Sequence, residues 1–150
     1  MDQIGNTQAP VCGSGGLPDT LAWAFDAFET IRSVARDCED RAPQLFATFM
    51  MAAGVAVEGR NALADAPSFP VGGSGAPEGV PPKGAPPEGT DVERIADELS
   101  ALAEVLADRL SQAAAVARLP GDRFACENAT ESAHGIGRLL ARASDETAAR

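Results

Sequence analysis

Tyrosine is absent from this 150-residue chain, phenylalanine and tryptophan together number seven, and lysine occurs once, at Lys83. So few aromatic rings exclude a core built on large side chains. Alanine takes their place with 30 residues, a type that favours helix but buries little apolar area. Any core is therefore thin, its helices must approach closely, and association with a second copy or a partner gains value. The shortage of lysine, with eleven scattered arginines against 22 acidic residues, leaves a net charge of −10. Nucleic-acid binding rewards clustered cations, so that class of partner is excluded. Arginine over lysine with so much alanine matches a GC-rich, bacterial genome.

Cysteine is scarce as well. Cys12, Cys38 and Cys126 are odd in number and far apart, which fits reduced thiols in a cytoplasm better than a disulfide framework. The opening "MDQIGNTQAP" has no apolar run of the secretory kind, and it supports the same cytoplasmic expectation. No CxxC, HExxH or calcium-loop pattern occurs, and the cysteine spacing builds no zinc site. Gly13 to Gly16 reads "GSGG" without the Lys-Ser or Lys-Thr of a phosphate loop. "GGSGA" at Gly72 to Ala76 lacks both the preceding strand and the final glycine of a nucleophile elbow. No cofactor is implied, and no catalytic set assembles.

Long hydrophobic runs are also missing. The longest, Ala42 to Val57, is 16 residues between Arg41 and Glu58, short of the ~20 that a membrane span needs. It reads as the most buried helix of a bundle, with membrane association through this segment as a minor alternative.

What is present is helical periodicity. Asp19 and Thr20 are placed to cap a helix whose apolar positions Leu21, Ala24, Phe28, Ile31, Ala35 and Cys38 step by threes and fours. Pro43 suits the first turn of a second helix running to about Asp65. Thr90 with Glu93 forms a capping box for a third, whose stripe of Val92, Ile95, Leu99, Leu102, Leu106 and Leu110 continues to a stop at "LPGD". A fourth follows Gly121, with Ala125, Ala129, Ile136, Leu140 and Ala143 on one side. Between the second and third, Asp65 to Gly89 holds seven prolines and six glycines, a composition that resists regular structure. Its "PPKGAPP" has the form of a groove-binding proline motif, though such composition usually marks a linker.

The resulting expectation is all-α: two helical hairpins forming a four-helix bundle, joined by a disordered Pro/Gly-rich crossover. The divisions are a flexible segment over 1–18, a hairpin over 19–64, the linker over 65–90, a second hairpin over 91–144 and a frayed tail over 145–150. Leu21, Phe28, Ile31, Phe46, Phe49, Met50, Leu99, Leu102, Leu106 and Leu140 are expected to carry the packing.

The function expected is noncatalytic protein–protein association, as a homo-oligomer or with a helical partner, and Trp23 is a candidate anchor for that partner. A competing reading comes from "ESAH", because a Glu-x-x-His motif is similar to those of ferritin-like di-iron bundles. Glu131 and His134 would then be metal ligands, with the site completed across a dimer and a carboxylate from Glu98 or Glu104. Register opposes it: folding about Pro120 and Gly121 sets residue 131 opposite roughly residue 110, and His134 points away from the apolar side.

Overall fold

In the computed structural model of the protein, residues 16–70 and 92–149 are described, with side chains described as far as Ala143. The first helix, α1, is Leu17–Arg41. It begins two residues before Asp19, because Pro18 in its first turn loses no intrahelical bond. Gly16 supplies the left-handed φ of 85° that turns the chain into the helix. Thr20 does not cap; its amide and hydroxyl both donate back to the Gly16 carbonyl, at 3.1 and 3.2 Å. At the other end Ala42 precedes Pro43 and is extended, φ −133°, which stops α1.

Pro43–Leu45 forms one 3-10 turn, and α2 follows at Phe46–Ala64. Helices α3, Val92–Val116, and α4, Pro120–Ala149, are joined by a turn of three residues. Arg123 closes that turn by donating to the Ala117 carbonyl at 3.2 Å, satisfying an acceptor that α3 leaves open. The backbone of α4 continues to Ala149 through residues expected to fray. Glu146, Ala148 and Ala149 are good helix formers, and no proline or glycine interrupts them there.

The hairpins pack on each other as a four-helix bundle in which α1 neighbours α2 and α3, and α4 neighbours the same two. Neighbours run antiparallel. Phe28 meets Gly59 between α1 and α2, Trp23 meets Arg109 between α1 and α3, and Gly135 meets Val55 between α2 and α4. Hence α2 and α3 sit on a diagonal and run the same way, and the chain must return the length of the bundle between them. The crossover at 71–91, its proline motif, and the capping residues Thr90 and Asp91 lie outside the described residues, as do 1–15 with Cys12.

Residues 65–70, assigned to the linker from composition, are folded. Ala66 is buried, its amide bonds to Leu63 at 3.0 Å, and that of Phe69 bonds to Ala66 at 3.0 Å. The reason is tertiary: this turn docks on the start of α4. The buried Asp122 carboxylate accepts from the Ser68 amide at 2.9 Å and its hydroxyl at 2.6 Å. Pro67 lies where Gly121 leaves room, since a Cβ there would come within 2.8 Å of the proline ring.

More than half of the buried apolar residues are alanine, the thin core that composition requires. Phe28, Phe49, Leu21, Ile31, Leu106 and Leu140 are among its largest fully buried members, while Leu99 is buried and Leu102 partly so. Two expected core residues are not in it. Phe46 is 44 % and Met50 47 % exposed, and Met51 beside them is 51 % exposed. α2 is thus not wrapped on all sides: as a corner helix touching α1 and α4, it buries Phe49, Ala52, Ala53, Ala56 and Leu63 and leaves its outer arc open.

Candidate functional site

The expected metal ligands fall on α4. Glu131 and His134 are both exposed, as are Glu98 and Glu104 on α3. The hairpin register is the one the turn implies, because a Cβ on Gly137 would lie 4.0 Å from the Cβ of Ala103. That pairing carries Glu104 past Glu131 by more than a turn. No group of three or more His, Cys, Asp or Glu able to hold a metal ion occurs among the described residues.

Trp23 is half-buried on α1, with the Arg109 guanidinium 5.1 Å from its ring centroid. A cation over an indole face is attracted by the ring quadrupole, so the pair ties α1 to α3 near one end of the bundle. Beside it on the α2 flank, Phe25 packs against Phe69 with centroids 5.3 Å apart, and Arg60 stands 5.9 Å over the Phe25 ring. Arg60 also pairs with Glu29, which Arg32 holds at 3.0 Å. Burial alone would raise the Glu29 carboxyl, but the hydrogen bonds and charges of Arg60 and Arg32 outweigh it and hold the pKa below the usual value. Burial, with the Glu29 charge close by, pushes the neighbouring Asp26 carboxyl up. This cluster fastens α1, α2 and the turn after α2 together.

Cys38 and Cys126 are fully buried thiols. Burial first, and then Asp37 beside Cys38 and Asp122 with Glu127 beside Cys126, pushes each up to about 11. Such thiols stay protonated at neutral pH and are poor nucleophiles.

The surface offers something the sequence analysis missed. Phe46, Ala47, Met50, Met51 and Gly54 step along α2 at helical spacing, and all are exposed. A Cβ at Gly54 would meet nothing within 4 Å, so no packing inside the chain requires glycine there. On α4, Gly135, Arg138, Leu139, Ala141 and Arg142 line an open groove of about 630 Å³. A signal for this face was available: from Ala42 to Val57 the chain is apolar on every side of the helix, yet a corner helix covers only part of its circumference.

No protein-family model, no curated protein and no solved structure matches this chain.

Proposed function

We propose that the protein is a noncatalytic helical bundle that acts by associating with protein, either a second copy or a helical partner. The observation that supports this reading is the open outer arc of α2. Phe46, Met50 and Met51 expose close to half of their surface in one contiguous strip at the end of a thin, alanine-rich bundle. Covering such side chains is worth about 25 cal/mol per Å² of apolar surface, and a face on a preformed helix adds no backbone-ordering cost to docking. Methionine adapts to irregular partner surfaces, which suits this role. The reading places the protein in the cytoplasm; no helix among the described residues is long and apolar enough to cross a membrane.

A photo-crosslinking residue placed at Phe46 tests it in cells, with the same residue at the exposed polar position Gln112 as control. The expected result is one or a few adducts of fixed mass from Phe46 and none of those from Gln112. Identical adducts from both positions, or none from Phe46 in a protein that is also monomeric, would overturn the association reading.

A further inference from the structure

The exposed side of α4 carries a charge pattern that no other described residue pairs with. Glu127, Glu131, Arg138 and Arg142 are all exposed. At 100° per residue they fall within about 60° of arc, forming one stripe along the helix. Within the stripe, like charges neighbour each other: Glu127 and Glu131 stand at i, i+4, and so do Arg138 and Arg142. Glu131 and Arg138 are two turns apart, ~10 Å along the axis, too far to pair with each other. None of the four forms an ion pair with another described residue.

The stripe is, however, its own complement when reversed. Glu131 and Arg138 stand equally far from the point midway between His134 and Gly135, and Glu127 and Arg142 are equally far from the same point. A two-fold axis through that point, perpendicular to the helix, would lay α4 of a second copy antiparallel on the first. Glu131 would then meet Arg138 of the other copy and Glu127 its Arg142, each twice by symmetry. An isologous contact requires this kind of self-complementary patch.

We infer that α4 is the interface of an antiparallel two-fold homodimer, registered by Glu127, Glu131, Arg138 and Arg142 and centred between His134 and Gly135. The inference rests on the association reading and names its partner as a second copy. Three further features fit. A groove lined by Gly135, Arg138, Leu139, Ala141 and Arg142 includes two residues of the stripe, so an incoming helix would meet its arginines beside Leu139 and Ala141. Gly135 is not demanded by internal packing, since a Cβ there would sit at an ordinary 3.8 Å from Val55, and at the level of the two-fold axis it adds no side chain to the flank of the stripe. And two copies each of net charge −10 repel, so a stable contact needs opposite charges placed locally. The same pairing gives Glu131 an arginine partner in place of a metal ion.

The test uses charge reversal on the intact chain, read by native mass spectrometry and sedimentation equilibrium. Wild type is expected to be a dimer. The variants E127R/E131R, with an all-cationic stripe, and R138E/R142E, with an all-anionic one, should each weaken it by about tenfold or more, because four attractive pairs become four repulsive ones. Mixed in equal amounts, they should restore a heterodimer with all four pairs complementary. Circular dichroism of each variant should match wild type, as all four side chains are exposed. A wild-type dimer that survives in both variants, or a mixture that stays monomeric, overturns the α4 interface and leaves the association reading standing. A monomeric wild type also overturns it, and the crosslinking at Phe46 then decides the association reading separately.

Discussion

Two glycines on one helix, five residues apart, should respond to the same substitution with opposite sign. At Gly54 a Cβ would enter open space, whereas at Gly59 it would lie 2.5 Å from Cζ and 2.6 Å from Cε1 of Phe28. Both Gly→Ala changes gain the same helix propensity, about 1 kcal/mol in α2's favour. Only Gly59→Ala adds a steric cost. The Phe28 ring is fully buried, so either the ring shifts against its packed neighbours or α1 and α2 part slightly. Overpacking of this kind costs about 1–3 kcal/mol. Gly54→Ala should therefore stabilise by about 0.5–1 kcal/mol, and Gly59→Ala should come out between neutral and about 2 kcal/mol destabilising. The gap between the two variants isolates the steric contribution. Urea denaturation followed by ellipticity and by the single tryptophan gives both midpoints, and Gly59→Ala combined with Phe28→Leu should recover much of the loss. Equal stabilisation by both alanines would refute the seating of Phe28 on Gly59, and with it the described α1–α2 packing.

Asp122→Ala should destabilise by about 2–3 kcal/mol, because it removes a buried carboxylate that accepts two hydrogen bonds from Ser68. Ser68→Ala should cost about 1 kcal/mol, and hydrogen exchange should show residues 65–70 opening in both variants. Glu29 has a lowered folded pKa, so its contribution is present above the ordinary carboxylate value near ~4.3 and is lost as pH falls through the folded pKa. Glu29→Gln should accordingly destabilise at pH 7, by up to about 1 kcal/mol, and converge with wild type in acid, as urea midpoints across pH would show. Asp26 has a raised folded pKa and works the other way: its contribution is full below ~3.9 and is lost as pH rises through the folded value, so Asp26→Asn should stabilise at pH 7. In a Cys12→Ser background, Cys38 and Cys126 should resist alkylation at pH 7.5 in native protein and react promptly in urea, in line with thiols pushed up to about 11. Prompt native reaction would contradict their burial.

The sequence by itself determined the helices and how they divide. The spacing of Leu21, Phe28 and Ile31, and of Ile95, Leu99 and Leu106, marks faces that must be buried, because a 3.6-residue period puts them on one side whatever they pack against. Pro43 and the Pro120–Gly121 pair likewise fix where helices turn, since proline acts through local sterics. The poor register of Glu104 with Glu131 followed from turn length and helical rise alone. Tertiary structure decided what depends on which neighbours each helix has. Composition marked residues 65–70 as linker, yet a carboxylate 54 residues away at Asp122 orders them. Phe46 and Met50 look like core in a run with no polar face, and they are surface only because α2 occupies a corner between α1 and α4. The α4 stripe shows the same division: its symmetry is written in the spacing of two glutamates and two arginines, but only the packing of the bundle shows that all four face outward.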